Sequence, residues 1–207
     1  MFSGWTRFFS VGSGEMASPA CYFSSLPSLE TARLLLRPLR TQDAADIFSW
    51  ASDPEVAKYV LWDPHRSVSE TKSYLRSVQS FRRRGLPSSW AVVCRKTGKV
   101  IGTIGFMWYS EANHSAEVGY SFARSCWNKG YATEALRSVL ASAFSSLPVN
   151  RIEAQHDTRN PASGRVMEKC GMKKEGLLRQ RIRNKGEFVD IVLYAVLPRR
   201  THELNEF

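Results

Sequence analysis

Several shortages narrow this chain before any motif does. Its 207 residues include only four cysteines, Cys21, Cys94, Cys126 and Cys170, and no Cys-x-x-Cys pair. Such scattered thiols fit a reducing compartment and supply neither a zinc site nor a disulfide frame. The four histidines, His65, His114, His156 and His202, are equally dispersed, too far apart to pair as ligands on one helix or hairpin, so no metal is expected. No apolar run approaches the roughly twenty residues that a spanning helix needs, which argues against a membrane protein. Acidic residues are also in short supply, 19 against 29 Lys and Arg, a formal charge of +10. That balance favours anionic partners such as a nucleotide-containing cofactor, ribosomal RNA or an acidic peptide. The Arg82-Arg83-Arg84 run reads first as the complement to a helix dipole.

With 43% hydrophobic and 23% charged residues, the chain reads as soluble, globular and long enough for one substantial core. Residues 1–28, rich in Ser, Gly and Phe, are read as a flexible or targeting-like tail. A cytoplasmic location is expected, with organellar import through that tail as the alternative. The domain is expected to span 29–200, followed by a short C-terminal tail, 201–207. Residues 33–38 form an apolar run stopped by Pro38, read as a strand. Thr41 is expected to cap a helix to about residue 52, and Ser67 with Glu70 has capping-box spacing before a helix to Gly85. Residues 90–95 and 99–108 make a hairpin around Thr97-Gly98, with a third strand at 115–122. A strand at 151–157 follows a helix and should lie parallel to its predecessor through a crossover. Asn160-Pro161 opens a short helix that Gly171 ends, with the asparagine as cap. A last hairpin turns around residues 184–187.

The centre of this pattern is residues 127–133, Trp-Asn-Lys-Gly-Tyr-Ala-Thr, between a strand and a helix. A loop that opens directly into a helix leaves backbone N–H groups unpaired at its mouth, where the dipole adds partial positive charge. That makes an anion site. Gly130 is the loop's only glycine, so neither the dinucleotide fingerprint nor the Gly-Lys-Ser/Thr phosphate loop is present.

Three segments in order, Ala-Glu-Val-Gly-Tyr at 116–120, Trp-Asn-Lys-Gly-Tyr-Ala-Thr-Glu-Ala at 127–135 and Asn-Pro-Ala-Ser-Gly-Arg-Val-Met-Glu-Lys-Cys-Gly-Met at 160–172, resemble the GCN5-related N-acetyltransferases (GNAT). Within that superfamily the chain is most similar to the Rim-type ribosomal-protein N-acetyltransferases, from about residue 31 to 198. The resemblance implies an α/β (α+β) fold with a largely antiparallel sheet of six or seven strands, about four helices and a splayed parallel pair that forms an acetyl-coenzyme A cleft. It also implies that backbone amides of Trp127, Asn128, Lys129, Gly130, Tyr131, Ala132 and Thr133 hold the pyrophosphate. Val118 to Tyr120 would then polarise the thioester, and Asn160 and Ser163 would meet the cofactor arm. Trp127 stands where the family has Gln or Arg, and Met167 where many members carry a proton-donating tyrosine.

Acetyl transfer to an amine needs a proton acceptor, donors for the tetrahedral oxyanion and a proton for the departing thiolate. Glu117, with His156 as runner-up, is the candidate base; Ser163 is the candidate donor, and Asp190 a candidate amine-orienting group. Trp62, Asp63 and His65 are candidate substrate-loop residues. The expected acceptor is a protein N-terminus, which the resemblance implies to be ribosome-associated, or a lysine. A small amine such as a polyamine, an amino-acid derivative or an antibiotic is the alternative, and a non-catalytic acyl-coenzyme A-binding or nucleic-acid-binding module is the alternative of another class. Monomer and homodimer are both compatible with the sequence.

Overall fold

β3 (Ser89–Cys94) is buried on both faces, which explains why its sequence runs apolar without alternation. Its side chains nevertheless alternate in destination. Trp90 and Val92 enter one core with Ile104 and Phe106, whereas Ala91 and Val93 enter a second on the opposite face. This computed structural model, which describes residues 17–198, is therefore a central sheet with a hydrophobic layer on each side.

Eight strands lie in the order β1-β2-β3-β4-β5-β6-β8-β7. They are β1 (Leu29–Glu30), β2 (Leu34–Pro38), β3, β4 (Val100–Ser110), β5 (Ser115–Phe122), β6 (Arg151–Asp157), β7 (Lys173–Asn184) and β8 (Glu187–Val196). Every neighbouring pair is antiparallel except β5–β6. α5 (Tyr131–Ser146) supplies the crossover between those two parallel strands and buries Leu136, Val139, Leu140 and Ala143 on one side. The second core is closed by α2 (Ala44–Ala51) and α4 (Val68–Arg83), through Ile47, Trp50 and Leu75.

The sheet exceeds the expected count by the two-residue β1. The helices number six among the described residues, because α1 (Pro19–Ser25) and α3 (Pro54–Ala57) join α2, α4, α5 and α6 (Pro161–Lys169). α1 corrects the expected tail. Ser18 caps it and Pro19 occupies its first turn, and Tyr22 and Phe23 are buried against Trp90 and Phe106. Trp90 Nε1 donates to the Pro27 carbonyl at 2.9 Å, so residues 17–28 belong to the domain. The remainder of the expected tail and residues 201–207 lie outside the described residues.

Two expected caps also differ. Thr41 lies in a 3-10 turn ahead of α2, and the Asp43 carboxylate accepts the Arg40 N–H at 2.8 Å while pairing with Arg37. Asn160 occupies the N-cap position of α6, but at ψ 65° its side chain makes no capping bond. Ser67 caps α4 as its spacing suggested, accepting from the Glu70 N–H, while Glu70 reaches back to the Arg66 N–H.

Candidate active site

β5 and β6 pair at only three positions, Ser115↔Arg151, Ala116↔Ile152 and Glu117↔Glu153. Beyond Glu117 the strands part, β5 continuing to Phe122 and β6 to Asp157. The facing edges of Val118 to Tyr120 and Ala154 to Asp157 thus have no cross-strand partner on that side. Backbone donors and acceptors left in this way need another partner. A cleft of about 480 Å³ occupies the gap and continues toward α2 and α4.

Glu117 sits at the point of divergence. A β-bulge at Met107 shifts the β4 register, so that Trp108 and not Met107 faces Glu117. Trp108 Nε1 donates to Glu117 Oε2 at 2.8 Å, and Gln155 Nε2 donates to Oε1 at 3.0 Å. The carboxylate is therefore fixed between two strands. Its neighbours Ala116 and Val118 are buried in the first core, leaving Glu117 and Gly119 on the other face, where they line the cleft.

Across the gap, α6 begins with Ser163 in its first turn. The Tyr120 phenol lies 3.0 Å from both the Ser163 carbonyl and Ser163 Oγ. Burial raises the phenol above its ordinary pKa, and the Ser163 bond lowers it less, so Tyr120 is a neutral O–H at physiological pH. Met167 is buried in the core beneath them. His156 lies close under α6. Its Nδ1 meets the Asp157 carbonyl at 2.8 Å, and a Cβ on Gly164 would approach Nε2 to 2.7 Å. Asn160 also lines the cleft. Asp190 Oδ1 accepts the Gln180 N–H at 2.8 Å, a bond within the last hairpin.

Asp157, buried at the end of β6, is paired with Arg159 at 2.7 Å. Burial alone would raise its pKa, but the guanidinium and backbone N–H of Arg159 outweigh this and hold the carboxyl below the usual range. A depressed carboxyl adds stability above its unfolded pKa, and that stability is lost as pH falls through the folded value. Arg159→Gln is thus expected to move the acid-unfolding midpoint to higher pH, as followed by circular dichroism. An unchanged midpoint would mean that the pair contributes nothing.

The anion loop stands apart from these groups, among residues that do not line the cleft. Asn128 and Gly130 both take positive φ, 58° and 79°, and α5 starts at Tyr131. The first intrahelical bond runs from the Glu134 N–H to the Gly130 carbonyl at 3.0 Å, so the N–H groups of Tyr131, Ala132 and Thr133 precede any helical acceptor. Arg33 braces the loop. It donates to the Lys129 carbonyl, pairs with Glu134 and lies 4.4 Å over the Tyr131 ring. Trp127 Nε1 donates to the Phe122 carbonyl, and Lys129 Nζ to the Ser125 carbonyl, so the polar end of each side chain is anchored to the scaffold, although Trp127 stays 42% exposed.

The motifs put forward Glu117, Ser163 and the loop; in the structure Glu117 and Ser163 line the cleft, and residues 127–133 do not. The bracing by Trp108, Gln155 and Arg33 was not foreseen, since it depends on a bulge for Trp108, on a contact across 38 residues for Gln155 and on contacts across 96 and 101 residues for Arg33. The α5 pattern did show an acid at Glu134 in the first turn, the one available signal for a basic partner. Among the described residues no group of His, Cys, Asp and Glu is arranged to hold a metal, and no helix is long and apolar enough to cross a membrane.

Residues 33–173 match the family described as Acetyltransferase (GNAT) domain. Over 174 residues the chain is 34% identical to p20 of Bacillus licheniformis, named as an uncharacterized N-acetyltransferase, covering 84% of this chain and 98% of the relative. It is 24% identical over 185 residues to the ribosomal protein uS5-alanine N-acetyltransferase of Escherichia coli, covering 84% and 94%. The solved acetyltransferase (GNAT family) from Bacillus anthracis superposes with a TM-score of 0.75 at 28% identity, over 83% of this chain and 99% of that one. With a family match across more than half its length and a sheet that opens between β5 and β6, the chain belongs to the GNAT acetyltransferases, as an N-acetyltransferase that takes acetyl-coenzyme A as its acetyl donor.

Proposed function

We propose that the chain acetylates the α-amine of a protein or peptide N-terminus. One observation carries the reading: despite a chain charge of +10, no Lys or Arg among the described residues lines the cleft, and the carboxylates among them that do are Glu117 and the Arg159-paired Asp157. A cationic amine meets no repulsion there, and a single available carboxylate suits one amine better than a polycation. The relation to a uS5-alanine N-acetyltransferase supports a protein acceptor.

In this reading the backbone N–H groups at the start of α5 bind the diphosphate, and the unpaired edge of β5 beyond Glu117 receives the cofactor arm and the thioester oxygen. Glu117 takes a proton from the ammonium, directly or through water. The amine nitrogen then bonds to the acetyl carbon, and the carbon–sulfur bond breaks as the tetrahedral adduct collapses. Ser163, with the Tyr120 O–H at 3.0 Å behind it, passes a proton to the thiolate and regains one from the second proton that the nitrogen sheds, and the proton held by Glu117 returns to solvent.

Coenzyme A release tests the reading. Purified protein with acetyl-coenzyme A is expected to release thiol with N-terminally free peptides and not with their N-formylated forms. Release only with small amines would transfer the assignment to a small-molecule acetyltransferase. Binding of acetyl-coenzyme A without release from any amine would indicate a non-catalytic module.

A further inference from the structure

The acceptor end of the cleft has a definite chemistry. Its walls include Leu61, Trp62, Tyr74, Phe81, Met107 and Ile182. Leu61, Phe81 and Met107 are 69%, 47% and 52% exposed, large apolar side chains that the two cores leave uncovered. Trp62, His65 and Tyr74 form a ring row with centroid separations of 5.6 and 5.8 Å. His65 Nδ1 lies 2.8 Å from Thr71 Oγ1, and burial holds the imidazole below its ordinary pKa, so the row is uncharged at neutral pH. Asn184 also lines this end; it is 5% exposed, and its buried Oδ1 has no hydrogen-bond partner. A buried acceptor of that kind calls for an N–H donor.

The loop that carries Leu61 and Trp62 is tied to the opposite wall. Lys185, in the β7–β8 turn at φ 50°, donates from Nζ to the carbonyls of Val60 and Trp62 at 2.8 and 3.1 Å and lies 3.8 Å from Asp63. Nearby, Arg159 bridges Asp157 and Glu187 and lies 5.8 Å from the Tyr59 ring centre. Two segments about 120 residues apart in sequence are therefore tied together beside the cleft through one ammonium group, which is engaged by loop carbonyls and is not itself part of the cleft lining.

We propose that the loop latched by Lys185 forms a subsite for an apolar or aromatic side chain on the residue that bears the acceptor amine. This rests on the acetyltransferase reading above and names the class of acceptor. Lys185 is a positioning residue, acting through the loop it holds. Burying one large apolar side chain favours such an acceptor by about 1.5–3 kcal/mol, roughly 10- to 150-fold, while Lys or Asp in the same place would give up the hydration of its charge among apolar walls.

The test is steady-state coenzyme A release by the full chain with peptides identical except for the first residue, Phe, Leu, Met, Ala, Lys or Asp. Phe, Leu and Met are expected to exceed Lys and Asp in kcat/KM by 10-fold or more. Lys185→Met is expected to raise the acceptor KM of the Phe peptide about 10-fold, with the Kd for acetyl-coenzyme A unchanged, and Lys185→Arg to recover part of the loss. Trp62→Ala, which leaves the latch in place, is expected to reduce the Phe-to-Ala preference. Equal use of all six peptides, or preference for Lys or Asp, would overturn the subsite while leaving the protein-acceptor reading intact. Acetylation confined to small arylalkylamines would support the subsite and overturn the protein acceptor. If Lys185→Met changed kcat and KM equally for every peptide, the latch would have no part in selection.

Discussion

Glu117→Gln is expected to lower kcat/KM by about 10²- to 10⁴-fold, the range general-base catalysis ordinarily contributes, with little change in affinity for acetyl-coenzyme A. The substitution is nearly isosteric, yet it alters two things. The carboxylate accepts from Trp108 Nε1 and Gln155 Nε2 on separate oxygens, and a carboxamide offers only one accepting oxygen, so one donor must face an NH₂ group. It also removes the group that takes the amine proton. Trp108→Phe separates the two effects: it deletes one orienting bond, keeps the carboxylate, and should cost roughly 5- to 10-fold by loss of about 1 kcal/mol. Rates measured with saturating donor decide the matter. Turnover of Glu117→Gln within about threefold of wild type would exclude Glu117 as the base and leave the runner-up His156, which also lines the cleft, or water.

Much of this site can be read from local patterns, because each piece needs only a strand, a loop and a helix start in order. The 127–133 loop followed an alternating run and preceded a helical one, and the structure puts Gly130 at positive φ just before α5. Asn160-Pro161 similarly announced α6 and placed Ser163 in its first turn. What could not be read depends on long-range geometry. The bulge at Met107 changes which residue opposes Glu117, and nothing in the alternation of β4 signals it. α1 was missed for a different reason. Its aromatic residues sit in a serine-rich stretch that cannot form a stable helix alone, and only the pocket beside Trp90 and Phe106 provides the burial. Lys185 looked like an ordinary turn residue, as its role lies in carbonyls of a loop remote in sequence. A loop shape and the start of a helix are thus legible where the side-chain walls of the cleft are not, since the first needs only local pattern and the second needs the assembled fold.

Gly130→Asp should abolish measurable acetyl-coenzyme A binding, a rise in Kd of about 100-fold or more, with the fold retained. Three effects act together at this position. Gly130 sits at φ 79°, where a side chain costs about 1–2 kcal/mol for most residues, though less for Asp. Its Cβ would lie 3.4 Å from Arg33 Nη2, an ordinary contact, so crowding is not the cause. The decisive change is the carboxylate, which would repel a diphosphate and compete for the same N–H groups of Tyr131, Ala132 and Thr133, as acidic residues do at helix starts. Gly130→Ala isolates the backbone strain from the charge and should weaken binding by no more than about 10-fold. Calorimetric titration of both variants, with circular dichroism to confirm folding, distinguishes the causes. Equal weakening in the two would assign the effect to loop conformation, and undiminished binding by the Asp variant would place the diphosphate elsewhere on the chain.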